Sequence, residues 1–182
     1  ETEAVAFLQQ ADREHPDQVE ILYALGEAQW HGQHVEAGAT TLERAFMLDP
    51  RWEMALHHVV ELRLTRGETA RLGPIANKLR PIDPANAATL DCKIAVGERR
   101  YADAVAGAQR ALGSLEKIPE LYICLAQAQA LAGDLDGGER TAKKAFDLWP
   151  IDMREWGGFA QYAEFFLYRG KLAEYLDLLR GK

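Results

Sequence analysis

Prolines recur along this chain at a fixed interval of 34 residues, at Pro16, Pro50 and Pro84. The second and third of them each end a tripeptide of an aliphatic residue, aspartate and proline. Self-similarity at a period of this length is typical of repeat architectures, in which every repeat is one supersecondary unit. Such a unit cannot bury its apolar face alone, so consecutive units must stack. The period therefore restricts the chain to a repeat fold.

The residues inside one period predict two helices joined by a turn. Leu22 and Leu25 are three residues apart, and Leu42 and Phe46 are four apart, which places each pair on one helical stripe. Glycine and alanine between them allow two antiparallel helices to approach closely. Proline cannot continue a helix, so the closing proline ends the unit.

The spacing of these residues resembles the tetratricopeptide repeat. With Val19 as position 1 of a 34-residue unit, leucine, glycine, two alanines and proline fall at the positions typical of that family, as Leu25, Gly26, Ala28, Ala45 and Pro50. A unit that begins at Pro119 matches as well, through Leu125, Ala126, Ala128, Gly133, Ala145 and Pro150. The resemblance implies an all-α fold, an α–α superhelix (solenoid) of helix–turn–helix repeats.

On this basis we predict a single domain over residues 1–182. It consists of a half repeat followed by five repeats, at 1–18, 19–52, 53–84, 85–118, 119–152 and 153–182. Pro74 and Pro81 predict that the second helix of the repeat 53–84 starts late and ends near Arg80. The repeat 85–118 is short, and we place the loss of two residues around its first helix or turn. The first helix of the last repeat is rich in aromatic residues, namely Trp156, Phe159, Phe165, Phe166 and Tyr168.

Composition excludes several classes of protein. The chain is 48% apolar and 27% charged, as in ordinary globular proteins, and no apolar run is long enough to span a membrane. A net charge of −7 argues against nucleic acid as a partner. Cys92 and Cys124 are too few for a disulfide framework, and we expect them to pack as small apolar residues, although facing helices would allow a bridge. We expect a cytoplasmic protein, and a longer natural chain because the sequence begins at Glu1 rather than at methionine.

No arrangement of residues in the sequence predicts catalysis, and we expect a protein that is not an enzyme and uses no cofactor. Residues 134–139 have a weak likeness to a calcium loop but lack its ligand series and its distant glutamate. His31 and His34 lie at a predicted helix–helix turn, and His57 and His58 lie in the next unit. A metal site needs three or four convergent ligands, however, and no cysteine is nearby. We therefore predict solvated histidines, with one in the groove, and no metal site.

The resemblance also implies where a partner binds. In the family, the first helices of successive repeats line a concave groove, with contacts from positions 2, 5, 9, 12 and 13 of each repeat. The matching residues of the repeats at 19–52, 53–84 and 119–152 are Glu20, Tyr23, Glu27, Trp30, His31, Met54, His57, Glu61, Leu64, Thr65, Glu120, Ile123, Gln127, Ala130 and Leu131. The short repeat adds Thr89 and Lys93, where the alignment is shifted by the two lost residues.

These residues predict the kind of partner. Family members that grip the C-terminal carboxylate of chaperones use a Lys/Asn/Arg clamp, whereas the matching positions here hold Tyr23, Glu27, His58, Asn86 and Leu90. We therefore expect no chaperone-tail binding. Carboxylates beside aromatic residues suit a protein or peptide partner that presents lysine, arginine or apolar groups.

The functional hypothesis is a non-catalytic scaffold that binds a protein or peptide in its groove and assembles a complex. The alternative is the regulatory or substrate-positioning arm of a larger enzyme or transcriptional regulator. Apolar residues at the end of the chain, Leu172, Leu176 and Leu179, predict either a homodimer through the terminal helices or a terminal helix folded back on its neighbour.

Overall fold

The structure is a computed structural model, and it describes residues 2–115, 117–149, 165, 167 and 169–180. The chain divides into two compact units, Glu1–Ile82 and Asp83–Lys182. All regular structure in the described ranges is helical, which confirms the all-α fold class. None of these helices is both long and apolar enough to cross a membrane.

The first unit contains five α-helices: α1 (Thr2–Glu14), α2 (Val19–His31), α3 (Val35–Leu48), α4 (Leu56–Thr65) and α5 (Leu72–Leu79). Short 3-10 turns at Glu53–Ala55 and Thr69–Arg71 precede α4 and α5. The described part of the second unit contains α6 (Pro84–Gly97), α7 (Tyr101–Leu112), α8 (Pro119–Leu131), α9 (Leu135–Leu148) and α10 (Leu172–Leu179).

Small residues bring α2 and α3 into close contact, as the sequence predicted. A Cβ atom added to Gly38 of α3 would lie 2.7 Å from the backbone nitrogen of Trp30 and 2.9 Å from the carbonyl oxygen of Gly26. Leu42 and Phe46 of α3 fill the remaining space and are fully buried. The two helices of this repeat are therefore held at a separation that only glycine at these positions permits.

The turns between paired helices mark the repeat more regularly than the prolines do. A residue with left-handed backbone conformation occupies each turn: Gln33 (φ 66°), Gly67 (φ 71°), Arg99 (φ 60°) and Gly133 (φ 99°). These turns follow one another at the full period except between Gly67 and Arg99, where two residues are missing.

The location of that loss differs from the prediction. Helix α6 is not short, because it runs for 14 residues from Pro84. The shortening lies instead in α5 and the connection after it, since α5 has only 8 residues and ends at Leu79. Proline explains both limits of α5: Pro74 is compatible only with the first turn, and Pro81 follows the last residues of the helix. The late start and early end that we predicted for this helix are confirmed.

A disulfide joins α6 to α8 inside the second unit. Cys92 and Cys124 are bonded, with their Cα atoms 6.2 Å apart, and both side chains are buried. The expectation that they pack as unbridged apolar residues was wrong, because the two first helices face one another closely enough for the bond. The pair still lies in an apolar cluster, with Leu121 and Leu125 of α8.

A second cluster in this unit contains Ile123, Trp149 and Phe165 around the alanines of α9. Trp149 is buried and packs in this cluster. Of the aromatic residues predicted for the last repeat, only Phe165 is among those described, and it is 1% exposed. The others, and the helix that we predicted for them, lie outside the described residues.

Candidate binding face on helices α2 and α4

Two helices of the first unit present most of the predicted groove residues. Helical spacing of three and four residues puts the chosen α2 positions on one stripe, and the same spacing holds for α4 and the turn before it. We call the combined surface the α2–α4 face, which consists of Glu20, Tyr23, Glu27, Trp30, His31, Met54, His57, His58 and Glu61. Leu64 and Thr65 continue the α4 stripe toward its end.

The exposed residues of the face are polar or flexible. Glu20, His57 and Glu61 are exposed, and Met54 is 72% exposed, which is unusual for an apolar side chain of its size. The two aromatic residues of α2, Tyr23 and Trp30, are half-buried. The surface therefore combines partly accessible aromatic rings, one exposed methionine side chain and carboxylates.

Side chains from α2 and α4 meet at the centre of the face. The Trp30 indole stacks on the His58 imidazole, with ring centroids 4.3 Å apart and planes at 15°. An oxygen of the Glu27 carboxylate lies 3.6 Å from Nε2 of His58, and its other oxygen lies 3.6 Å from Nε2 of His31. Glu27 is therefore placed between two imidazoles that come from different helices.

His58 is an imidazole with few polar partners. Its Nδ1 atom is buried and has no hydrogen-bond partner among the described residues. Burial lowers the pKa of His58 below its ordinary value, although the Glu27 carboxylate acts in the opposite direction. The ring is thus biased toward the neutral form, in which one nitrogen carries a free lone pair.

Tyr23 is less free than the sequence suggested. Its ring packs against that of Trp52, with centroids 5.3 Å apart and an interplanar angle of 53°. Trp52 is half-buried in this contact. Truncation of Tyr23 would therefore disturb the support of Trp52 as well as the surface.

The sequence placed His58 at a position that matches the carboxylate clamp, but did not include it among the residues expected to contact a partner. Glu27 and His31 are visible as an i, i+4 pair on one helix, but His58 joins them only because α4 packs next to the repeat that contains α2. The signal available in the sequence was the pair of adjacent histidines at 57 and 58, of which only the first was included among the expected partner contacts.

A network of arginines and glutamates next to this face was also not predicted. Arg63 of α4 is fully buried, and its guanidinium donates to Glu36 at 2.7 Å and to Glu68 at 2.9 Å, with Glu43 at 3.5 Å. The hydrogen bond from Arg63 holds the pKa of Glu36 below its ordinary value. The network connects α4 to α3 and to the turn after α4, and it thereby positions the helix that carries His57 and His58.

The second unit presents fewer of the predicted residues. Glu120 is exposed and Gln127 is half-buried, but Ile123 is 5% exposed and packs in the core, so it offers no surface to a partner. Thr89 is buried and its hydroxyl donates to the carbonyl oxygen of Ala85, while Lys93 is exposed. Gln127 lines an apolar pocket of about 220 Å³, together with Val96, Ala130, Leu131 and Leu135.

Comparison with solved structures identifies relatives of the fold. A thermophilic TPR protein from Thermus thermophilus, TTC0263, superposes with a TM-score of 0.67 at 21% identity, over 88% of this chain and 87% of the other. YrrB, described as a TPR protein with an unusual peptide-binding site, gives a TM-score of 0.50 at 14% identity, over 95% and 89%. Yeast Tom70 gives 0.62 at 13% identity over the whole of this chain, which spans only 39% of that chain.

No family model matches the sequence, and no curated protein matches it either. At these identities the structural likeness concerns the fold alone. Together with the helix–turn–helix repeats and the close contact of α2 and α3, it establishes the architecture that the spacing of small residues and prolines predicted. The chain has the tetratricopeptide-repeat fold.

Proposed function

We propose that the α2–α4 face binds a peptide segment of a protein partner, and that the chain acts as a non-catalytic interaction scaffold. One observation carries this proposal: aromatic rings, an exposed methionine side chain and three carboxylates lie on one surface formed by α2, α4 and the turn before α4. Methionine adapts to irregular apolar surfaces, and tryptophan and tyrosine are enriched among residues that dominate binding energy. YrrB, which shares the fold, is described as having a peptide-binding site, and this supports a peptide as the ligand.

The charge of the face favours a basic and apolar segment. Glu20, Glu27 and Glu61 are all carboxylates, and the described α2–α4 face contains no lysine or arginine. Complementary charge accelerates association and excludes partners of like charge, so acidic segments would be rejected. Because the face lacks the basic clamp that grips a C-terminal carboxylate, we also propose that chaperone tails are not the ligand.

The same face would serve an interaction arm within a larger enzyme or transcriptional regulator, which is the alternative that the sequence leaves open. Both roles require the peptide contact, and they differ only in what is attached to the chain. The fold is compatible with many unrelated partners, so the partner must be found from the chemistry of the face.

A display library of random peptides, selected on the immobilised chain, tests the proposal. We expect enrichment of sequences with lysine or arginine next to aliphatic or aromatic residues, and weaker retention at higher salt because the exposed charges are screened. Enrichment of acidic peptides, or no enrichment at all, would contradict the proposal.

Matched variants locate the contact. Met54→Ala and Glu61→Lys should each weaken binding of a selected peptide, because they remove the free apolar contact and reverse one charge. Met47→Ala at the end of α3, where the side chain is 39% exposed, and Glu14→Lys on α1 are the controls outside the face. Equal effects of the controls would place the binding site elsewhere. Met54 and Glu61 are preferable to Tyr23 because Tyr23 also supports Trp52.

The redox state of Cys92 and Cys124 in the cell indicates the compartment in which the scaffold acts. Disulfides persist in oxidising environments and are rare in the cytosol, so the bond argues against the cytoplasmic location that we expected from the sequence. Thiol labelling of the protein in rapidly quenched cells measures the redox state of the two cysteines directly. Complete labelling of both would indicate that the protein is in a reducing compartment.

A further inference from the structure

We propose that Glu27, His31 and His58 form a binding site for a divalent transition-metal ion of the zinc class. One ligand atom from each of the three residues lies within 4.8 Å of the other two. The inference does not rest on the peptide-binding role, because it concerns only the geometry and chemistry of these three side chains.

The distances fit metal coordination with small side-chain movements. Zinc binds imidazole nitrogen at about 2.0–2.1 Å in a tetrahedral arrangement, which places neighbouring ligand atoms roughly 3.3 Å apart. Both oxygens of Glu27 already lie 3.6 Å from a histidine nitrogen. The His31 side chain is 64% exposed and is therefore free to turn toward the ion.

The ligand set is one that zinc and its neighbours prefer. Two imidazoles and one carboxylate suit zinc, nickel and copper, whereas magnesium and calcium require mainly oxygen ligands. Three protein ligands leave one tetrahedral position open to water or to a group from outside, as in sites that keep an accessible ion. Glu27 and His31 lie one turn apart on α2, and His58 comes from α4, so the ion would cross-link the first helices of two successive repeats.

His58 is prepared for this role by its surroundings. Trp30 stacks on its ring at 4.3 Å and restricts the orientation of the imidazole. Its Nε2 atom faces Glu27 at 3.6 Å, a distance too long for a hydrogen bond, and its Nδ1 atom is unpartnered among the described residues. A neutral, half-buried imidazole without hydrogen-bond partners has a nitrogen lone pair that is free to coordinate a metal ion.

A second group of three residues, His57, His58 and Glu61, shares His58 and also lies within the same distance limit. In that group the three residues come from one helix, and two of them are adjacent in sequence. Adjacent residues do not share a helix face, so their side chains are less able to converge on one ion. We therefore assign the site to the group that spans two helices.

Isothermal titration of the metal-free full chain with zinc chloride tests the assignment. We expect one ion per chain, and a loss of affinity in His31→Ala and Glu27→Gln of at least the roughly 10–100-fold that removal of an outer-shell partner costs. His34→Ala, an exposed histidine three residues further along the same turn, is the matched control and should leave the affinity unchanged. Far-UV circular dichroism of each variant verifies that the helices are intact.

The results that would overturn the proposal are distinct. Absence of zinc binding to the wild-type chain, or wild-type affinity in both His31→Ala and Glu27→Gln, would refute it. A loss confined to His57→Ala and Glu61→Gln would assign the ion to the other group and refute this one. An equal loss in His34→Ala would indicate unspecific binding to surface histidines.

Nuclear magnetic resonance of the imidazole nitrogens gives an independent readout. Zinc should shift the ring signals of His31 and His58 together at one equivalent, while the signals of His34 and His15 stay in place. Peptide binding does not enter this measurement, so its failure and the failure of the proposed peptide-binding function are distinguishable.

Discussion

Gly38→Ala should destabilise the first unit even though alanine is the better helix former. Gly38 lies inside α3, where replacing glycine by alanine at an unobstructed position stabilises a helix by about 0.8–1.0 kcal/mol. Here the new Cβ would lie 2.7 Å from the Trp30 nitrogen and 2.9 Å from the Gly26 carbonyl oxygen. Both obstacles are backbone atoms, which cannot rotate out of the way.

The magnitude follows from the movement that the methyl group forces. Ordinary contact begins at 3.4 Å, so α2 and α3 must separate locally by about 0.7 Å. Overpacking of this kind costs about 1–3 kcal/mol, because the surrounding side chains lose their fit. After subtraction of the gain in helix propensity, the free energy of unfolding should fall by up to about 2 kcal/mol.

Urea and thermal denaturation followed by far-UV circular dichroism measure this effect. For a chain of this size, a loss of up to about 2 kcal/mol lowers Tm by up to roughly 8 °C. Gly107→Ala is the matched control, since Gly107 lies inside α7 and its added Cβ would meet only the end of the Arg110 side chain at 3.9 Å. This control should be stabilised by up to about 1 kcal/mol.

The two substitutions are chemically identical and are expected to act with opposite sign. If Gly38→Ala were as stabilising as Gly107→Ala, the close approach of α2 and α3 would not exist in solution. If both were destabilising to the same extent, helix propensity and local packing would not account for either value.

Further consequences of the structure are measurable. Arg63→Met should lower the free energy of unfolding by about 2–4 kcal/mol, as measured by chemical denaturation against the wild type. The loss is smaller than for a fully buried ion pair, because the partner carboxylates remain partly hydrated. The folded-state pKa of Glu36 is lowered, so its contribution is present above its unfolded pKa and disappears as the pH falls through the folded value; Glu36→Gln should flatten the acid limb of a stability–pH profile. Reduction of the bond between Cys92 and Cys124, which are 32 residues apart, should cost about 3–4 kcal/mol, and melting curves with and without reductant measure it. Leu172 is 58% exposed on α10, so the homodimer predicted through the terminal helices should dissociate in Leu172→Arg; analytical ultracentrifugation that finds a wild-type monomer would end this hypothesis.

Local features were predictable wherever the cause lies within one repeat. The boundaries of α5 follow from Pro74 and Pro81, which restrict the backbone whatever surrounds them. The stripe of α2 follows from helical periodicity, because residues three and four apart share a face in any α-helix. These statements need no knowledge of neighbouring repeats.

Features that join two repeats were not predictable in the same way. Cys92 and Cys124 form a bond only because α6 and α8 present them to one another at 6.2 Å between Cα atoms. Ile123 occupies a position that contacts ligands in the family, but its packing with Trp149 and Phe165 buries it. The shortened segment was assigned to the wrong helix, because the prolines alone do not show which element lost residues.

The sequence by itself determined the repeat length, the all-helical class and the acidic, aromatic character of the α2–α4 face. These properties depend only on the spacing and the types of the residues, and both can be read directly from the sequence. Only the tertiary structure decided which side chains converge: it brought His58 to Glu27 and His31, buried Arg63 among carboxylates and paired the cysteines. Convergence depends on the angle and distance at which neighbouring helices pack. This packing angle and distance are set by many side chains at once, so they cannot be read from the spacing of any few residues in the sequence.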